Sequence, residues 1–387
     1  MMLSPLAHRA LERDGLGSIR DRVLAGQRLG EAEALALFEA TDLAALGALA
    51  NHVREARHGD LTYYNRNVHL NPTNVCVATC KFCSFARPDD RQASEGYTMS
   101  LDQAVQHVVS KRALGITEVH IVSGLHPDLP WDYYLETVRR IRQAWPELHI
   151  KGYTAVELHF FAEKFGKSLE QVLRELIEAG LTTIPGGGAE IFATRVRRKI
   201  CDDKATAAQW LEVHRTAHRL GLKSNATMLY GHIETLAERV DHMARLRDLQ
   251  DETHGFQVFI PLAFHPEHNM IGKAFPKPTG YDGLRTFAVA RLFLDNFDHV
   301  KAYWVSLGER LAQASLSFGV DDVDGTVLEE RIYHMAGATT PQALSEAQLH
   351  RMIRFAGRVP VERDSLYNVL RVHDAPASAT AVSGGLR

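Results

Sequence analysis

Only four cysteines occur in 387 residues, too few for a disulfide framework. No run of about 18 apolar residues is present to span a membrane, and the start, Met-Met-Leu-Ser-Pro-Leu-Ala-His-Arg, lacks the apolar core of a secretory signal. Net charge is −3 with His neutral, so neither a basic field for nucleic acid nor an acidic solvating tail is available. Repeats of about 20 to 50 residues are also missing. These absences predict a cytoplasmic protein with no nucleic-acid and no membrane partner. What remains, 45% hydrophobic and 24% charged residues, is enough for one large barrel with additions.

Three of the four cysteines fall within eight residues, as Cys76-Val-Ala-Thr-Cys80-Lys-Phe-Cys83. Thiolates are the ligands of iron–sulfur clusters, and a full [4Fe–4S] set takes four. Three leave one iron open to a small molecule. A zinc knuckle supplies four ligands in two pairs, and buried cysteines serve as small hydrophobes; neither accounts for a C-x3-C-x2-C triplet. At this spacing the chain resembles the radical S-adenosylmethionine (SAM) enzymes, whose hallmark is C-x3-C-x-aromatic-C, with Phe82 at the aromatic position. The resemblance implies a [4Fe–4S] cluster on Cys76, Cys80 and Cys83, with SAM chelated at the open iron. It also implies an electron donor such as flavodoxin or ferredoxin, and cleavage of SAM to a 5′-deoxyadenosyl radical.

Apolar residues at helical spacing between residues 12 and 57, with Asp42 as an N-cap, predict an N-terminal helical cap over 1–60. From residue 61 to 320, β-like runs alternate with amphipathic helices. The expected strands are Val68–Leu70, Glu118–Val122, His149–Tyr153, Leu181–Ile184, Lys223–Met228, Phe256–Ile260, Lys301–Val305 and a weak one at Leu316–Phe318. Eight such units predict an α/β fold, a (β/α)8 TIM-type barrel with its active site at the C-terminal strand ends. A helical appendage is expected over 321–374, and a disordered Ala/Ser/Gly tail over 375–387.

The strand-end rule turns post-strand residues into candidates. They are Ser123-Gly124-Leu125-His126, Thr154 to Glu157, Gly186-Gly187-Gly188-Ala189-Glu190 with Arg197, Tyr230-Gly231-His232 and Phe264-His265. By the radical SAM resemblance, the SAM contacts are Phe82, Ser123, Gly124, Thr154, Glu157, Gly187, Glu190 for the ribose and Arg197 for the carboxylate. His126 stands where many of these enzymes carry an acidic residue. The longer motifs Pro185 to Phe192, Ala226 to Thr235, Ile260 to Glu267 and Tyr333 to Ala338 resemble the aminofutalosine synthase family of the menaquinone route. Cys201-Asp202-Asp203-Lys204 departs from that family's pattern, in which Pro follows the Cys, and is read as a change confined to a loop.

That family adds the 5′-deoxyadenosyl radical to 3-[(1-carboxyvinyl)oxy]benzoate, an aromatic enol-ether dicarboxylate. Aryl migration and decarboxylation then give 6-amino-6-deoxyfutalosine. Their position at the strand ends of the barrel assigns His126, His232 and His265 to the substrate carboxylates, and Tyr230 and Phe264 to its ring. The alternatives are a hydrogen-abstracting relative, dehypoxanthine futalosine cyclase, and a non-catalytic iron–sulfur electron carrier.

Overall fold

The computed structural model describes residues 3–88 and 95–373; the tail expected at 375–387 lies outside them. Up to His58 the chain forms four helices, α1 (Pro5–Arg13), α2 (Gly17–Leu24), α3 (Glu31–Phe38) and α4 (Leu43–His58). Asp42 caps α4 by accepting from the Ala45 N–H at 2.9 Å, as its place before Leu43 predicts. The apolar side chains Leu46 and Leu49 of α4 are fully buried.

Strands β1 (Leu61–Asn65) and β2 (Asn67–Leu70) follow with only Arg66 between them, yet they enter different sheets. From β2 onward, strands and helices alternate: α5 (Leu101–Val109), β3 (Glu118–Ile121), α6 (Trp131–Ala144), β4 (His149–Gly152), α7 (Ala155–Lys164), α8 (Leu169–Ala179), β5 (Thr183–Ile184), α9 (Thr194–Ile200) and α10 (Ala207–Arg219). There follow β6 (Lys223–Tyr230), α11 (Leu236–Thr253), β7 (Phe256–Ala263), α12 (Gly280–Phe293) and β8 (His299–Val300). β2 to β8 form one seven-stranded parallel sheet in sequence order. Several of its helices start at capping boxes legible in the sequence, such as Ser168 with Gln171 and Thr206 with Gln209.

Two expected strands are corrected. Lys301–Val305 is no strand, because β8 ends at Val300 and Trp304–Leu307 is a helical turn, α13. Leu316–Phe318 is a turn after α14 (Glu309–Ser315), and the eighth stave is β9 (Asp322–Gly325). Asp322 bridges Lys301 next to β8, and Leu328 bridges Val68 of β2, so residues 321–328 close the ring between its last and first strands. The run Asp-Val-Asp-Gly hides this stave, since Asp and Gly are depleted in strands. Its acids find partners inside: Arg363 reaches Asp322 at 2.7 Å, and Lys301 reaches Asp324 at 3.3 Å.

The C-terminal part contains the expected helices, α15 (Ile332–Met335) and α16 (Glu346–Phe355). It also contains two strands that the sequence reading did not draw, β10 (Val359–Arg363) and β11 (Val369–Val372). They complete a second sheet, β11-β10-β1-β9, in which only the β10–β11 pair is antiparallel. Among the described residues no helix is long and apolar enough to cross a membrane.

Candidate active site

A cavity of about 320 Å³ opens where the strands end, lined by the cysteine loop after β2 and by the segments after β3, β4 and β5. On β6 and β7 the two-residue alternation of a strand selects the lining: Asn225, Thr227 and Leu229 from one, Ile260 and Leu262 from the other, then Phe264 and His265. Cys76, Cys80 and Cys83 all border this cavity and are partly exposed, whereas Cys201 is buried.

The cysteine loop is pinned on several sides. Val77 N–H donates to Leu125 O at 3.0 Å, Lys81 N–H to Ile200 O at 2.8 Å, and the Thr79 hydroxyl to Asp203 at 2.7 Å. Gly124 makes this contact possible, because a Cβ there would stand 2.1 Å from Val75 O. Gly186 answers the same need after β5, where a Cβ would stand 2.6 Å from Asn225 O.

Among the described residues, two triads bring three metal-ligating atoms within 4.8 Å of one another, and neither contains a cysteine. The three thiols are therefore too widely spaced for one shared ion. Bordering one cavity, they suit a cluster in which each thiolate takes its own iron. Burial pushes the Cys76 thiol up and the Cys80 thiol up to about 12, so thiolates form here only against a strongly positive partner.

Of the candidates for SAM, Phe82, Ser123, Gly124, Thr154, Glu157, Gly187 and Glu190 all line the cavity. Glu157 accepts from the N–H and hydroxyl of Ser123, both at 2.9 Å, and from the N–H and hydroxyl of Thr154 at 2.8 and 2.7 Å. Burial nevertheless pushes its carboxyl up to about 7, against the hydrogen bonds from Thr154 and Ser123. Glu190 sits in the left-handed region at φ 47° and forms a buried ion pair with Lys204. Arg197 lies apart from these residues. Its buried guanidinium donates to Ala189 O at 2.7 Å and to Ala205 O, and it does not border the cavity.

His265 borders the cavity, with Nε2 2.8 Å from Ser306 O and a buried Nδ1 that makes no hydrogen bond and lies 4.0 Å from the Glu267 carboxylate. Burial lowers its pKa, keeping the ring neutral. The other three catalytic candidates, His126, Tyr230 and His232, do not border the cavity. His126 Nδ1 accepts from the N–H groups of Asp128 and Leu129 at 3.0 and 3.2 Å, shaping a turn. Tyr230 has the opposite parity to Leu229 on β6 and packs against Arg239, 5.1 Å from its ring centre. His232 is held within its own turn, Nε2 to Leu229 O at 2.9 Å and Nδ1 3.2 Å from Glu234.

The radical SAM superfamily profile matches residues 70–246, and that of the CofH/MqnC C-terminal region matches 253–375. Over 360 residues the chain is 51% identical to the aminodeoxyfutalosine synthase of Thermus thermophilus, covering 92% of this chain and 96% of that one. The chain belongs to the aminodeoxyfutalosine synthase family. The Streptomyces coelicolor aminodeoxyfutalosine synthase is 45% identical over 372 residues, covering 93% of this chain and 95% of that one. Methylornithine synthase superposes with a TM-score of 0.71 over 88% of this chain and 96% of its own, at 15% identity, and so shares the fold. As an aminodeoxyfutalosine synthase family member the chain is a radical SAM enzyme, with a [4Fe–4S] cluster and SAM as its cofactors.

This family member also carries cavity residues that the sequence reading missed. Lys204 comes from the very loop read as a local departure, and lies 5.2 Å from the Phe82 ring centre. His69 and His120 face each other across β2 and β3, ring centres 4.7 Å apart, each with a buried Nε2 that has no partner. Asn225 Oδ1 is likewise buried and unpartnered. The available signal was a polar residue in mid-strand at the inward parity, where a barrel strand ordinarily carries a branched apolar one.

Proposed function

We propose that this enzyme joins the 5′-deoxyadenosyl group of SAM to 3-[(1-carboxyvinyl)oxy]benzoate and releases 6-amino-6-deoxyfutalosine for menaquinone synthesis, in the cytoplasm. Flavodoxin or ferredoxin is the proposed electron donor. The observation that carries the reading is the division of the cavity. Thiols, Glu157 and Glu190 come from the segments after β2 to β5, while Leu229, Ile260, Leu262 and Phe264 form an apolar wall from β6 and β7.

Cys76, Cys80 and Cys83 hold the cluster in this reading. The cluster and SAM supply, when bound, the carbon-centred radical. Glu157 fixes Ser123 and Thr154, whose segments approach the cosubstrate, and Glu190 with Lys204 borders its ribose. The apolar wall takes the aromatic ring and keeps water from it. His265 Nδ1, which makes no hydrogen bond of its own, takes up a proton as a substrate carboxylate arrives and then donates to it, because a neighbouring anion favours the charged imidazole. The unpartnered nitrogens of His69 and His120 and the amide of Asn225 give further polar contacts to the same molecule.

An anaerobic incubation with dithionite, the enol ether and SAM labelled in its adenosyl group tests the reading by mass spectrometry. The label is expected in the aminofutalosine product. Release of all label as free 5′-deoxyadenosine would replace it with hydrogen abstraction, the chemistry of the cyclase.

A further inference from the structure

A second constellation of ligand-type side chains lies outside the cavity, where α16 meets the second sheet. Glu346 and His350 stand one turn apart on α16, and His373 follows the end of β11. Glu346 Oε1 lies 3.6 Å from His350 Nε2 and 3.5 Å from His373 Nε2. The hydroxyl of Tyr64, a fully buried residue of β1, is 2.9 Å from Glu346 Oε1, 2.9 Å from His373 Nε2 and 2.8 Å from His350 Nε2. Four donor atoms from three separate elements thus point at one another. In a tetrahedral zinc site with bonds of about 2.0 to 2.2 Å, neighbouring donor atoms lie about 3.3 to 3.6 Å apart. The two nitrogen–carboxylate separations fall at that value, and Tyr64 needs to retreat by only a few tenths of an ångström.

The other triad with this proximity, His58, His299 and Asp321, differs in one respect. Asp321 is already paired with the Arg291 guanidinium and accepts from the Val300 N–H at 2.9 Å, so a cation there would face a fixed positive charge. Among the described contacts Glu346 forms no ion pair with Arg or Lys, and Arg354 and Arg371 act on His350 and His373 only as neighbouring charges.

We propose that Glu346, His350 and His373, with the Tyr64 hydroxyl as fourth donor, bind a divalent cation of the zinc class. Two imidazoles with one carboxylate favour zinc over magnesium or calcium, which take oxygen ligands. The site is structural. It would clip the end of β11, an edge strand whose Val369, Leu370 and Val372 are exposed, to α16 and to β1.

The test uses cluster-loaded enzyme treated with EDTA, exposed to zinc sulfate and desalted, with iron and zinc measured by mass spectrometry. One zinc per chain is expected in the wild type. The same is expected in a Cys76→Ala/Cys80→Ala/Cys83→Ala variant, where the cluster site is gone. Glu346→Gln and His350→Ala/His373→Ala should fall below a tenth of an equivalent with iron content unchanged, which also reports that they fold. Zinc should raise the wild-type melting temperature and leave that of the double His variant where it was. Zinc that disappears with the cysteines, or that persists in the double His variant, overturns the proposal.

Discussion

Glu157 ties the end of β3 to the end of β4, one carboxylate oxygen accepting from Ser123 and the other from Thr154. Thr154 is at the same time the N-cap of α7 and Glu157 its reciprocal partner, so a helix-starting motif doubles as a wall of the active site.

The pH dependence of stability follows from this group. Its pKa is about 7 in the fold against an ordinary 4.5, so between those values the folded chain holds a proton that the unfolded chain has lost. Stability from this group therefore falls as pH rises from about 4.5 to 7, by on the order of 3 kcal/mol, and is level above that. Glu157→Gln should remove that slope. Anaerobic urea unfolding of both proteins at a series of pH values measures it.

Replacing any one of Cys76, Cys80 or Cys83 with Ala should abolish the stable [4Fe–4S] spectrum and the activity. Cys201→Ala should keep full iron and lose only about 1 kcal/mol of core packing. Iron analysis and visible spectra decide, and loss of the cluster from a folded Cys201→Ala protein would show that the fourth thiol is a ligand.

The histidines near the strand ends should separate. His265→Ala is expected to lower kcat/KM for the enol ether by about tenfold to a hundredfold with little change in melting temperature, equivalent to losing one charge-assisted hydrogen bond. His126→Ala deprives two backbone N–H groups of their acceptor and should cost about 1 to 2 kcal/mol of stability with kcat/KM nearly unchanged. Steady-state kinetics and thermal unfolding of both variants give the comparison, and equal kinetic losses would contradict it.

Lys204 and Glu190 form a buried pair, with side-chain exposures of 6% and 11%. Lys204→Met should strand the carboxylate and destabilise by about 3 to 5 kcal/mol, and Glu190→Gln/Lys204→Met should recover part of that loss. Unfolding free energies of the wild type, both single variants and the double variant form the cycle. Additive losses would mean that the pair is not coupled.

Strong patterning made most of the barrel legible: β3 and β4 start where the expected strands do and end one residue short of them, and the glycine-rich turn after β5 lines the cavity as expected. What stayed hidden had physical causes. The stave at Asp322 carries charges matched only by Lys301 and by Arg363, 41 residues further on, a pairing no local pattern displays. Tyr230 ends β6 and His232 follows it, but position at a strand end does not report direction. Tyr230 falls on the outward parity of β6, and Glu234 draws His232 back into its own turn. Lys204 was overlooked because a loop far along the chain from Cys80 gives no periodic signal.

The seam of the barrel has a consequence for how the enzyme is made. Residues 321–328 join the last and first staves, bonding to Val300 and Ala302 on one side and to Asn67 and His69 on the other, and also pair with β1, so the ring cannot close until most of the chain has left the ribosome. The cysteine loop is synthesised early and must wait beside an open half-ring. Such non-local closure is slow to form, which leaves an interval in which a preassembled cluster can enter from the open side. A chain ending before Asp321 should therefore accept the cluster yet lose it quickly, which iron content measured before and after desalting would show.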